Sequence, residues 1–187
     1  MDQRDLVIRA KGGDHDAFTS LVAVSIARLD AAARLILRDG ELARDAVQDT
    51  LVRAWRDLPG LREPDRFDAW LHRLTVNASL DLARRRQRRS IEVQLTPLAV
   101  PSIADATADL AERQQLDEAL GRLEPVWRAI VVMHYYLGMP LPDIAVTLHI
   151  PLGTAKSRLH RALREMRTSL VEPDAERSEP VRGGQLA

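Results

Sequence analysis

Residues 141–163, LPDIAVTLHIPLGTAKSRLHRAL, decide how this chain is read. Pro142 suits the first turn of a helix, where its missing N–H costs nothing, and Ile144, Ala145 and Leu148 then line one face. A tight turn at His149 and a buried Ile150 follow. Pro151 opens a longer second helix, on which Ala155, Leu159, Ala162, Leu163, Met166 and Leu170 recur at helical spacing. Lys156, Arg158, Arg161, Arg164 and Arg167 lie outside that stripe, with only Glu165 opposing them. A short helix, a tight turn and a longer basic helix have the layout of a helix-turn-helix, whose second helix enters the major groove N-terminus first. Arginine there can hold guanine O6 and N7 bidentately with a rigid planar fork that lysine lacks. A helical hairpin with merely solvated arginines is the competing reading; the one-sided basic excess weighs against it.

Working outward, strand alternation is absent and the periodicity is helical almost throughout, so the expected fold class is all-α. Upstream, helices are predicted from Asp14 to Gly40, from Glu41 to Leu58 and from Phe67 to Arg89. Pro59-Gly60 stops the second of these. Residues 90–111, SIEVQLTPLAVPSIADATADLA, change character: two prolines, small residues and no basic side chain. They read as a flexible linker, about 70 Å when extended. Helices then resume at Glu112–Leu123, Pro125–Leu137, Pro142–Leu148 and Leu152–Leu170. The organisation is a first helical domain over 1–89, a linker over 90–111, a helix-turn-helix domain over 112–171 and a disordered tail over 172–187.

The chain of 187 residues carries 27 basic and 27 acidic side chains, so net charge alone does not announce a nucleic-acid partner. The distribution says more: residues 1–90 are net +3 and residues 91–111 net −3. Without cysteine, disulfides and thiolate metal sites are excluded, which suits a reducing cytoplasm. No apolar run reaches the roughly 20 residues that cross a bilayer, and the N-terminus is unlike a signal peptide. The five histidines are scattered, and no HExxH, Walker loop or GxSxG motif occurs, so neither an enzyme nor a metal or cofactor site is expected.

Two upstream stretches carry further chemistry. In ELARDAVQDTLVRAW (41–55), Ala43, Val47, Leu51 and Ala54 form a buried face. Asp45, Gln48, Asp49, Val52 and Arg56 share the adjoining one, readable as a protein-docking strip or as ordinary solvated surface. In FDAWLHRLTVNASLDLARRRQRR (67–89), Trp70, Leu71, Leu74, Ala78 and Leu82 read as core. Arg84, Arg85, Arg86, Arg88 and Arg89 exceed what a helix dipole needs and read as a phosphate-tracking patch.

In this order the motifs resemble the extracytoplasmic-function sigma factors of bacterial RNA polymerase. AKGGDHDAF (10–18) looks like that family's opening segment, and DAVQDTLVRAW (45–55) like its polymerase-clamp helix. FDAWLHRLTVNASLDLARRR (67–86) resembles the promoter-melting helix, and residues 142–163 the reader of the −35 element. The resemblance implies polymerase contacts at Asp45, Gln48, Asp49 and Val52. It implies −10 contacts at Trp70, Arg73, Asn77, Arg84, Arg85 and Arg86, and −35 contacts at Gly153, Thr154, Lys156, Ser157, Arg158 and Arg161. The loop 59–66, PGLREPDR, stands where the family captures a flipped base; Arg62 and Arg66 are there to meet phosphates. The implied partners are core RNA polymerase, promoter DNA and an anti-sigma factor, in the cytoplasm. A helix-turn-helix regulator that is not a polymerase subunit is the alternative. Three positions depart from the family pattern, among them Asp143, which takes a position often held by glutamate. Arg44 stands where an acid is usual, and His149 replaces the turn glycine, implying a strained positive φ.

Overall fold

The computed structural model describes residues 2–92 and 108–171, and among them there is no strand. The linker centre and the tail after Val171 lie outside the described residues. The helices are α1 (Gln3–Lys11), α2 (His15–Leu37), α3 (Gly40–Asp57), α4 (Phe67–Glu92), α5 (Ala108–Arg122), α6 (Pro125–Val131), α7 (Leu141–Leu148) and α8 (Leu152–Val171).

The N-terminal helix α1 is absent from the sequence expectation, since its charges and the Gly12-Gly13 stop obscure the period. Yet Val7 and Ala10 are buried against α2. Asp14 then caps α2 by accepting from the Ala17 N–H at 2.9 Å. That bond, and Arg9 at 2.6 Å, hold its carboxyl below the ordinary range. Asp39 caps α3 in the same way, accepting from the N–H groups of Glu41 and Leu42. Between these helices Arg38 adopts a left-handed φ of 53°.

Both edges of the expected linker are helical: α4 runs on to Glu92 and α5 starts at Ala108. α6 ends in a π turn over Val132–Tyr136, closed by the Leu137 N–H on the Val132 carbonyl at 3.0 Å. No helix among the described residues is long and apolar enough to cross a membrane.

Two apolar clusters organise the molecule. Helices α1 to α4 enclose Leu29, Ala33, Val47, Leu58, Phe67, Leu71 and Ala78. The second cluster gathers Leu123, Ile130, Met133, Ile144, Leu159 and Met166 from α5 to α8, and with them Ala32, Ile36, Val76 and Leu80 from α2 and α4. The two blocks therefore share a core. α4 is buried on two sides, and where its polar residues lie within it, Thr75 and Ser79 donate to the carbonyls of Leu71 and Thr75 at 3.0 and 2.8 Å. His72, on the same helix, is buried; desolvation, assisted by Arg28, lowers its pKa.

Candidate nucleic-acid and polymerase interfaces

The turn between α7 and α8 is built as the sequence requires. The His149 N–H bonds the Val146 carbonyl at 3.2 Å and the Ile150 N–H bonds that of Ala145 at 3.0 Å, a Schellman closure. It needs a left-handed residue, and His149 supplies it at φ 55°. Ile150 is half-buried rather than buried. Because a side chain in this conformation costs roughly 1–2 kcal/mol, partly offset by glycine's greater freedom when unfolded, His149→Gly should stabilise the chain by about 0.5–1 kcal/mol. Thermal unfolding should register the change as a rise of a few degrees; an unchanged or lower midpoint would mean that the histidine side chain compensates.

α8 sorts its residues cleanly. Ala155, Leu159, Ala162 and Met166 are buried. Gly153, Lys156, Ser157 and Arg161 are exposed, and Thr154 and Arg158 half-buried. A Cβ on Gly153 would meet nothing within 4 Å, so internal packing does not demand glycine there. What its absence does is leave the helix N-terminus open to close approach. The Ser157 hydroxyl donates to the Thr154 carbonyl at 3.0 Å. Among the described residues no carboxylate pairs with Lys156, Arg158 or Arg161. Beside them Arg122, Trp127, Arg164, Glu165 and Thr168 line a cleft that extends the surface past Arg161, with three arginines against one carboxylate. The sequence reading missed this extension because it joins α5, α6 and α8.

On α4, about 100° of rotation per residue places Trp70, Arg73, Asn77 and Arg84 within about 60° of one another. Trp70 is half-buried with its ring centroid 5.9 Å from that of Phe67, and packs on the first cluster. Arg84 pairs with Asp81 at 3.1 Å and Arg86 with Asp39 at 3.0 Å, whereas Arg85 is exposed with no ion pair among the described residues. Arg73 is not open to solvent along its length: it lies 3.7 Å from Asp143 of α7, and its Nε is buried without a hydrogen-bond partner. The loop preceding α4 is two short 3-10 turns, Leu58–Gly60 and Pro64–Arg66. Arg62 projects from it, and Arg66 pairs with Glu63 at 2.8 Å. α1 pins this loop, with Lys11 Nζ donating to the Leu61 carbonyl at 2.7 Å and Arg4 3.4 Å from Asp65.

The third surface is on α3. Asp45, Gln48 and Val52 are exposed, and Asp49 is held by Arg53 at 2.6 Å. Arg44, the departure from the expected acidic strip, is paired with Glu41 one turn earlier. Ile26 and Ala27 of α2 form an apolar groove with Val47, Gln48 and Leu51, extending the strip with residues that the sequence reading did not include.

Comparison with known proteins agrees with this geometry. Residues 22–89 match the Sigma-70 region 2 family model and residues 113–166 the Sigma-70 region 4 model. The chain is 36% identical over 159 residues to the ECF RNA polymerase sigma factor SigM of Mycobacterium tuberculosis, covering 84% of this chain and 79% of SigM. It is 34% identical over 139 residues to SigE of Mycolicibacterium smegmatis, covering 72% of this chain but 54%, about half, of that longer relative. Among solved structures, CnrH in complex with the cytosolic domain of CnrY is 31% identical, with a TM-score of 0.65, covering 94% of this chain and 99% of CnrH. An exposed acidic α3 face, an arginine-bearing α4 and a helix-turn-helix, in the order of two matched sigma regions, have one common account: the chain belongs to the ECF sigma factors of RNA polymerase.

Proposed function

We propose that residues 1–89 form the block that docks on core RNA polymerase and opens the −10 element, and that residues 112–171 form the block that reads −35 duplex. In this assignment α3 meets polymerase through Asp45, Gln48, Asp49 and Val52. The loop at 59–66 and the α4 stripe of Trp70, Arg73, Asn77 and Arg84, with Arg85 and Arg86, take the non-template strand. The N-terminal half of α8 enters the major groove. The observation that carries the reading is the state of the α8 cations. Most arginines of the first block have carboxylate partners, whereas Lys156, Arg158 and Arg161 have none among the described residues and stand ready for phosphates and base edges. The work is binding and positioning rather than catalysis, and it belongs in the cytoplasm with the polymerase. CnrH, the similar solved structure, is held by the cytosolic domain of CnrY, which supports control of this chain by an anti-sigma protein as well.

Asp45 tests the docking face, because it is exposed and, among the described residues, has no ion-pair partner. Asp45→Lys should weaken core binding about tenfold or more, as charge reversals in an interface do, while stability stays within about 0.5 kcal/mol. Wild-type affinity for core, measured by fluorescence anisotropy, would remove α3 from the interface.

A further inference from the structure

Helix α1 lies against the loop that precedes α4, and it does so from a fixed base. Val7 and Ala10 bury its inner face in the first cluster. At its end the chain turns a tight corner into α2. The Gly12 N–H bonds the Arg9 carbonyl at 2.9 Å and the Gly13 N–H bonds that of Ala10 at 3.0 Å. Gly13 takes φ 94°, a conformation that favours glycine. Across the corner Arg9 Nε and Nη2 donate to Asp14 Oδ2 at 2.9 and 2.6 Å, and Asp14 is itself the cap of α2. The last turn of α1 is therefore tied to α2, and Lys11 stands in that turn.

From there Lys11 reaches a residue 50 positions along the chain. Its Nζ donates to the Leu61 carbonyl at 2.7 Å, and the Leu61 N–H donates to the Leu58 carbonyl at 3.0 Å. Both backbone polar groups of Leu61 are thus held, one within the opening 3-10 turn and the other from α1. On the far side the Arg66 N–H closes the second turn on the Glu63 carbonyl at 3.0 Å. Arg62, exposed, lies between these two fixed points. The Arg4–Asp65 pair adds little to the hold, because both side chains are more than half exposed and solvent screens them. The Lys11 bond is charge-assisted and partly buried, so it is the stronger tie.

We propose that Lys11 is a positioning residue for −10 recognition. Without touching DNA, it fixes the shape of the capture loop from α1 and so tunes which base the loop accepts. This rests on the assignment of the loop at 59–66 to −10 DNA. A loop held in one shape gives up little freedom when a base enters, and it does not rearrange to meet a mismatched base. Released from Lys11, the Leu61 carbonyl turns to water and the backbone at Arg62 samples more shapes. Both the speed of capture and its discrimination then fall.

Lys11→Met keeps the stem on α1 and removes the donor. Lys11→Gln, too short to reach, should behave alike and stands in if the methionine variant fails to fold. In the free full-length protein, hydrogen-exchange protection of the Leu61 amide should fall about fivefold or more, with α2 and α3 amides unchanged. With core polymerase, single-base variants of the −10 element should be discriminated about fivefold less at the captured position. Affinity for −35 duplex and for core should stay within about twofold, and the relaxed preference should persist on templates already unpaired at −10. Unchanged protection at Leu61 or unchanged base preference would overturn the proposal. So would a uniform loss over all −10 sequences with the salt slope reduced by about one, which would make Lys11 a phosphate contact. If a different loop grafted over 60–66 leaves the −10 preference untouched, the functional assignment fails instead. A graft that alters the preference while Lys11→Met does not would sink this proposal alone.

Discussion

Arg158→Ala and Arg161→Ala should each weaken binding to a −35 duplex by about 1–3 kcal/mol, roughly 5- to 150-fold, if the side chain reads a base. The sizes follow from what each arginine does in the free chain. Neither has a carboxylate partner among the described residues, so truncation leaves no buried charge behind and stability should move by no more than about 0.5 kcal/mol. The two are not equivalent. Arg161 is exposed in the cleft it lines with Arg122, Trp127, Arg164 and Glu165, where three arginines outnumber one carboxylate, a setting suited to tracking phosphate. Arg158 is half-buried one turn nearer the helix N-terminus, where a recognition helix reaches base edges. Arg158→Ala should therefore relax sequence preference at one position. Arg161→Ala should weaken all duplexes alike and reduce the salt slope by about one. Gel retardation across a salt series on cognate and scrambled duplexes separates them. Unchanged binding in both variants would mean that the basic face is only solvated.

Those expectations are readable in the sequence alone, and the reason is local. A helix-turn-helix is specified within some twenty residues: two prolines at helix starts, an apolar period of 3.6 and a residue forced into the left-handed region. The left-handed His149 is expected from the resemblance, which puts a glycine at that turn. What was not legible depends on contacts between distant segments. Periodicity says which face of a helix is buried, not what buries it, so Leu71, Ala78 and Leu82 of α4 were identified while Val76 and Leu80, covered by the second block, were not. Arg128 lies within the apolar run PVWRAIVVM, and an arginine there is itself a signal that carbonyl acceptors converge on it. The acceptors come from α2 and α5, one of them 92 residues away. The groove beside α3 was missed likewise, because half of it is supplied by α2.

Exchanging residues 60–66 for a different loop should alter −10 preference while leaving −35 preference and polymerase affinity as they were. Reading a duplex needs only a helix that fits a groove, but opening one needs a place for the unstacked base. Extruding it costs a few kcal/mol that local contacts must offset. The loop is framed for that task. Leu58 and Phe67 are fully buried at its two ends, Pro59 and Pro64 set its short 3-10 turns, and Lys11 holds the Leu61 carbonyl from α1. Arg62 is left exposed at the centre, and Trp70 stands in the first turn of α4 that follows. A frame fixed at both ends gives up little conformational entropy when a base arrives, which is why contacts of modest strength suffice. Losing only about 1.4 kcal/mol of them would slow opening tenfold. On duplex promoters, permanganate reactivity of the grafted protein with core should drop by about that factor or more. On templates already unpaired at −10 the rate should largely recover, since the unstacking cost has been removed, while the altered base preference persists. A graft that leaves the −10 preference unchanged on both templates would show the loop to be a connector, with the sequence read further along α4.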